Sequence, residues 1–356
     1  MQAIFYIFEV WCMPRFILMM GALLISSHQA FGDDFLFTEN FDGYVKDSKA
    51  SQNNKNPADS PVIWSDEAYT RIALMSEVGR LEKDGGLVGL AELKPKENHK
   101  ITSNSIARSE THSAGLLFSY REGPNSWSEQ RFKLNQEVLG KKGLTEMWIQ
   151  YDLFIPDNYR AIDGNPDSGQ WFGGGHKVLT MYADAYSYPN TTMIFGQLFA
   201  RKDKNGVTNY DGHAYNNSTL STYKDGERIY TYFGVDKARE KAWIFVDRDL
   251  GKWQRRTVRF KFPTTETSND GVVQVWIQRA DGNVSTLIDV TNGNFFAYNQ
   301  SYFNAGYFNG WCNDGLDGQT YFLLDNVIIT DNRKYIDRSA IIEDNPPNSP
   351  DARRTQ

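Results

Sequence analysis

From residue 33 onward the chain is a succession of short runs rich in aromatic and β-branched residues, each cut off by Gly, Asn, Asp or Pro. No amphipathic helix of packing length interrupts them. The runs are Phe35 to Phe41, Gly115 to Tyr120, Ser128 to Leu134, Glu146 to Ile155, Lys177 to Tyr182, Thr192 to Ala200, Ile229 to Phe233, Trp243 to Val246, Arg255 to Phe262, Val272 to Gln278, Tyr302 to Phe308 and Tyr321 to Thr330. Asp281-Gly282-Asn283 and Asn292-Gly293-Asn294 read as turns between such runs. Many strands without intervening helices must cover their apolar faces with one another. The expectation is an all-β fold, a two-sheet antiparallel β-sandwich of jelly-roll type, in a single domain over residues 33–340. The aromatic content of 14% fits strands better than helices.

The two ends read differently. Arg15, the apolar run Phe16 to Ile25 and the small-residue exit at Ala30-Phe31-Gly32 describe a secretory signal over residues 1–32, with Met13 as an alternative start. The apolar run is short for a bilayer span, so a secreted or periplasmic protein is expected, with no membrane attachment once the signal is gone. Cleavage there would remove Cys12 and leave Cys312 as a lone thiol, expected to be a buried small hydrophobe. Lys46 to Asp59 reads as a long surface loop, and residues 341–356 as a disordered tail. Asn190, Asn283 and Asn299 each begin a glycosylation-type triplet. A net charge of −6 argues against nucleic acid, yet local cationic strips on such a protein can still bind an acidic polymer. A monomer is expected.

One strand carries an unusual face. Side chains alternate across a strand, so in Trp127 to Leu134 the residues Trp127, Glu129, Arg131 and Lys133 share one side. Ser128, Gln130, Phe132 and Leu134 take the other. A guanidinium fork, a second cation and a flat ring suit an anionic sugar, whereas the bland alternative is a solvated face with a local ion pair. In Tyr302 to Trp311 the same rule puts Phe303, Ala305, Tyr307, Asn309 and Trp311 together. Gln274, Trp276 and Gln278 share a face of the Val272 to Gln278 run and would bring a stacking ring and two amides to the same cleft.

Trp127-Ser128-Glu129-Gln130-Arg131 and Tyr302 to Asn309 resemble the signatures of jelly-roll polysaccharide lyases, alginate lyases in particular, which run like R-S/T-E-L-R and Y-F-K-A-G-x-Y-N. The Tyr321 to Thr330 run resembles the closing strand of concanavalin A-like lectins and glucanases. Trp127 stands where the family has an arginine and Asn304 where it has a lysine, while Tyr307 comes one place early with Phe308 at the second tyrosine's place. The resemblance implies β-elimination on an anionic, uronate-containing glycan.

Such a reaction removes the proton beside the sugar carboxylate, stabilises the enolate and protonates the leaving oxygen. Tyr307 is the expected acid or base, Arg131 and Gln278 the carboxylate partners, and His176, after the glycine-rich Gly173-Gly174-Gly175, the candidate base. His213 is its rival. Glu129, Lys133, Trp127, Gln274, Trp276, Gln278, Asn309 and Lys177 are the expected substrate-binding residues. No cofactor is required. Glu39, Asp42 and Asp325 are the candidates for a structural Ca2+, against the alternative that they are turn and capping carboxylates.

Two other functions compete. A carbohydrate-binding module needs only the stacking rings and amides. A retaining glycosidase needs two carboxylates about 5 Å apart. The nearest same-face pair, Glu146 and Asp152, would be about 20 Å apart along a strand.

Overall fold

The computed structural model describes residues 34–41, 49–50, 60–68, 70–74, 114–123, 126–156, 159, 173–202, 208–209, 218–233, 249–312, 315–316 and 318–342. The chain divides into two units, Met1–Asp34 and Phe35–Gln356. Everything that follows concerns the second. The expected signal segment, Asp42, His213 and the Trp243 to Val246 run lie outside the described residues.

The strands are β1 (Leu36–Glu39), β2 (Val62–Ala68), β3 (Thr70–Leu74), β4 (Ala114–Tyr120), β5 (Ser126–Leu134), β6 (Glu146–Ile155), β7 (Gly173–Tyr182), β8 (Thr192–Lys202), β9 (Thr208–Asn209), β10 (Ser218–Lys224), β11 (Glu227–Phe233), β12 (Lys252–Lys261), β13 (Gly271–Gln278), β14 (Val284–Gly293), β15 (Ala305–Cys312) and β16 (Thr320–Thr330). A single helical turn, α1 (Gln136–Leu139), follows β5. Among the described residues these strands form two antiparallel sheets. The first runs β14-β13-β12-β6-β16-β4-β3, with β1 on β16; the second runs β11-β10-β8-β7-β15-β5-β2, with β9 on β8. This is the expected two-sheet β-sandwich.

Alternation decides what fills the space between the sheets. Phe132 and Leu134 of β5, Phe308 of β15 and Leu179 of β7 turn inward from the second sheet, and Tyr151, Leu153, Val258 and Phe260 from the first. Phe308 meets Phe132 at 5.4 Å and crosses to Tyr151 at 5.2 Å, so the sheets are joined by aromatic rings. Gly306 lies where β15 and β7 leave no room for a side chain. A Cβ there would stand 2.6 Å from the Met181 sulfur and 2.6 Å from the Thr180 carbonyl oxygen.

Five strands escaped the hydrophobic pattern: β2, β3, β9, β10 and β14. β10 reads Ser-Thr-Leu-Ser-Thr-Tyr-Lys, a β-prone run whose outward positions are hydroxylated, and β14 continues to Gly293 through the expected turn. Two residues of the expected surface loop are described, and one of them, Ala50, is fully buried in the core. Ile341, placed in the tail by the sequence, is buried. Ile336 and Ile341, flanking the 3-10 turn Arg338–Ala340, pack on Trp148 and Trp276 against the outer face of the first sheet.

Candidate active site on the outer face of the second sheet

β15 lies between β5 and β7, and its register brings the two informative runs together. Tyr307 stands opposite Arg131 on one side and Thr180 on the other; Asn309 stands opposite Glu129, and Trp311 opposite Trp127. Opposed residues of an antiparallel pair share a face. Because Phe132 and Phe308 point inward, Trp127, Glu129, Arg131, Lys133, Tyr307, Asn309 and Trp311 all lie on the outer face, as the alternation required.

The face is graded in chemistry along the strands. At one end Trp127 and Trp311 stack at 5.1 Å, nearly parallel, with Trp311 36% exposed. Next, Arg131 Nε donates to Glu129 Oε1 at 2.6 Å, which fixes the guanidinium on the face; the carboxylate is almost fully buried and the guanidinium about one third exposed. Lys133 is exposed beyond it. Tyr307 is 1% exposed, and the edge of the Tyr186 ring packs on it at 5.4 Å. Lys177 completes this corner, its Nζ 5.8 Å from the Tyr186 ring centre.

Polar atoms left unpartnered here are the strongest sign of a site. The Tyr307 hydroxyl, both polar atoms of the Asn309 side chain and the Thr180 hydroxyl are buried without a hydrogen-bond partner. Buried polar groups are ordinarily paired, and leaving one unpaired costs about 1–3 kcal/mol. Burial pushes the Tyr307 hydroxyl well above the usual tyrosine range, and the Tyr186 hydroxyl adds to the shift; Thr180 opposes it without reaching regular hydrogen-bond geometry. Tyr307 is therefore a protonated donor at neutral pH.

The Tyr302 to Asn304 part of the motif serves a different purpose. Tyr302 Oη and Asn304 Nδ2 both donate to the Asp184 carboxylate at 2.9 Å, and Asn304 Oδ1 accepts from the Asp184 backbone N–H at 2.8 Å. They anchor the segment that carries Tyr186 over Tyr307.

His176 is not on this face. The left-handed backbone at Asn309 (φ 56°) and the positive φ of Gly310 (147°) mark a bulge, and the β15–β7 register shifts between Phe308 and Cys312. His176 falls opposite Cys312 and points between the sheets, fully buried. Its Nε2 is 2.9 Å from the Tyr120 hydroxyl and its Nδ1 is 3.4 Å from that of Tyr159. Desolvation first, then the nearby cations Arg256 and Lys177, lower its pKa to about 3. The expectation of His176 as a base at the substrate face is corrected accordingly. Its position is structural, because Tyr120 Oη also meets the Ser128 carbonyl at 2.8 Å and accepts from the Gly310 N–H at 3.2 Å, propping the bulge from beneath. Cys312 is buried as expected, its thiol against the Gly315 carbonyl.

Gln274, Trp276 and Gln278 are also corrected. They do share a strand face, but β13 belongs to the first sheet and that face looks away from Tyr307. Trp276 is 3% exposed, stacked with Trp148 at 6.1 Å and covered by Ile336 and Ile341. Gln278 donates to the Ser339 carbonyl and Gln274 to Asp289, so these residues bind the chain's own C-terminal segment and its neighbours.

Of the residues expected to hold Ca2+, Glu39 and Asp325 are described and Asp42 is not. Glu39 caps the Phe41 N–H at 2.8 Å, Asp325 accepts from the Asn326 N–H at 2.9 Å, and among the described residues no group of three or more His, Cys, Asp or Glu side chains is placed to hold a metal. The hydrolase carboxylates are likewise engaged. Arg259 grips Glu146 at 2.8 and 3.0 Å, and Arg255 grips the fully buried Asp152 at 2.8 and 3.0 Å. Among the described residues no helix is long and apolar enough to cross a membrane.

The class defined by this architecture is the two-sheet antiparallel β-sandwich, with a cationic, aromatic outer sheet face. No family model matches the chain, and no curated protein sequence does. Among solved structures it is similar to the alginate lyase Aly36B in complex with alginate trisaccharide, at 10% identity over 83% of this chain and 97% of that one, with a TM-score of 0.45. It is similar to the marine PL-14 alginate lyase from Aplysia kurodai at 15% identity over 63% and 85%, TM-score 0.37. Peanut lectin matches at 9% identity over 84% and 98%, TM-score 0.36. These are resemblances of strand arrangement; the chemistry rests on the residues above.

Proposed function

We propose that the protein is an exported polysaccharide lyase that cleaves an anionic, uronate-containing glycan by β-elimination on the outer face of the second sheet. The observation that carries this reading is the register that sets Tyr307 beside Arg131 and Asn309 beside Glu129, with the Tyr307 hydroxyl and the Asn309 amide buried and unpartnered. Arg131 and Asn309 hold and neutralise the sugar carboxylate, which acidifies the adjoining C–H and stabilises the enolate. Tyr307, kept protonated by burial, gives its proton to the departing glycosidic oxygen. Lys177, the amine beside Tyr186, in its neutral form takes the proton from carbon in place of His176, and solvent afterwards carries that proton away and reprotonates Tyr307. Tyr186 covers Tyr307, so its ring moves as substrate enters.

A second reading, a binding module without chemistry, is favoured by the Trp127–Trp311 stack, since exposed rings suffice to hold sugars. The test mixes the purified protein with alginate, glucuronan and a glycosaminoglycan panel and follows the ultraviolet absorbance of the unsaturated uronate. The lyase reading expects a rise with at least one polymer. Binding with no rise against any of them overturns it in favour of the module.

A further inference from the structure

The face that holds Tyr307 continues across the sheet to an aromatic platform that no step of elimination uses. The register carries one row from Arg131 through Tyr307, Thr180, Ile194 and Thr219 to Tyr232. A parallel row runs from Lys133 through Ala305, Tyr182, Thr192 and Ser221 to Tyr230. Between the two ends the side chains of β8 and β10 on these rows are short: Thr192, Ile194, Thr219 and Ser221. Thr192, Thr219 and Ser221 are buried and Ile194 is half-buried, between the tyrosines of β15 and those of β11. With neighbouring strands about 4.8 Å apart, Tyr232 lies about 19 Å from Tyr307 across the sheet.

β11 ends the strand order of its sheet, and its outward residues are built differently from an ordinary solvated edge. Tyr230 and Tyr232 are 46% and 58% exposed, and their rings stack at 6.0 Å within 18° of parallel. The Arg228 guanidinium lies over Tyr230 at 4.8 Å and over Tyr223 at 5.6 Å, so a cation sits beside two rings. Two large exposed tyrosines cost solubility unless something covers them. Flat rings with a fixed guanidinium suit an anionic sugar: the ring faces pack on its C–H surface and the fork meets its carboxylate.

We propose that Tyr230, Tyr232 and Arg228 form a distal subsite that binds a uronate residue of the same polymer chain whose scissile bond lies at Tyr307. The chain then crosses the strands above the row that runs through the half-buried Ile194. The proposal rests on the lyase reading for its substrate class, and it makes the enzyme a reader of polymer length. Short oligosaccharides fill the neighbourhood of Tyr307 alone, whereas a long chain gains the second hold, in the manner of linked binding events.

The test compares the full chain with its Tyr230→Ala/Tyr232→Ala and Arg228→Gln variants. Calorimetric titration with sodium alginate and with alginate trisaccharide is read beside elimination kinetics on both. The proposal expects the double variant to lose tenfold or more in affinity for the polymer, with a matching rise in KM, while kcat and the trisaccharide constants stay within twofold. Arg228→Gln should lose the salt-sensitive part of polymer binding. Unchanged polymer affinity in both variants overturns the distal subsite even if elimination is observed. If no elimination occurs with any protein, the calorimetry still decides: a loss confined to the polymer supports the subsite while the lyase reading fails, and equal losses for polymer and trisaccharide overturn it.

Discussion

Tyr307 stands directly opposite Arg131 in the register of β15 on β5, on the outer face of its sheet, and the Tyr307 hydroxyl is buried without a hydrogen-bond partner. That relationship predicts a separation of chemistry from stability. Tyr307→Phe removes one oxygen that makes no regular hydrogen bond among the described residues, so its melting temperature should stay within about 2 °C or rise, as expected when a poorly paired buried polar atom is deleted. Elimination should fall by about 10²–10⁴, the range for loss of a proton-transfer group. Thermal melts and initial rates on one preparation check both halves.

Arg131→Ala should act mainly through substrate affinity. It also strips the nearly buried Glu129 of its ion-pair partner. A double cycle with Glu129→Gln separates the two effects: stability lost in Arg131→Ala should be largely restored in the double variant, and substrate binding should not.

The buried His176 predicts an acid sensitivity. Its folded pKa of about 3 lies below its ordinary 6.5, so between those values the unfolded chain binds a proton that the folded protein excludes. Stability is unaffected above about pH 6.5 and declines as pH falls towards 3, by at most about 1.4 kcal/mol per pH unit from this group. Denaturant midpoints measured from pH 7 to pH 4 should fall, and His176→Phe should flatten that fall. An equal slope in the variant would assign the sensitivity elsewhere.

Gly306→Ala tests the close approach of β15 to β7. The added Cβ meets a backbone oxygen at 2.6 Å, and backbone cannot swing aside. A loss of about 1–3 kcal/mol is expected from urea unfolding, together with reduced turnover, because the displaced strand carries Tyr307.

Trp276→Ala makes the opposite separation. Its ring is sandwiched against Trp148 and the C-terminal segment on the far sheet, so about 3–5 kcal/mol of stability should go, while KM of the protein that remains folded is unchanged.

What could be read from the residues alone followed from the two-residue period of a strand. Alternation placed Trp127, Glu129 and Arg131 outward, and it placed Tyr307 beside them once β15 was paired. Period says which side of a strand a residue takes, but not which sheet the strand joins. Gln274, Trp276 and Gln278 share a face as expected and still lie on the wrong sheet. His176 stands four residues from the outward Thr180, so strict alternation would put it on the outer face, yet it contacts Tyr120, Tyr159 and Phe322 between the sheets; strand period does not account for its position. Tyr230 and Tyr232 were visible as a strand in Ile229 to Phe233, and their alternation with Arg228 was the signal that could have marked a binding face.

Elimination on this face is distinguished from hydrolysis and from binding alone by its products. Mass spectrometry of the oligosaccharides released from a polyuronate by the wild-type chain and by Tyr307→Phe tests it most directly. The account predicts that the wild type releases fragments whose new non-reducing ends are one water lighter than hydrolysis would give, and that Tyr307→Phe releases almost none. Fragments carrying the full water, or equal yields of the lighter products from both proteins, would contradict it.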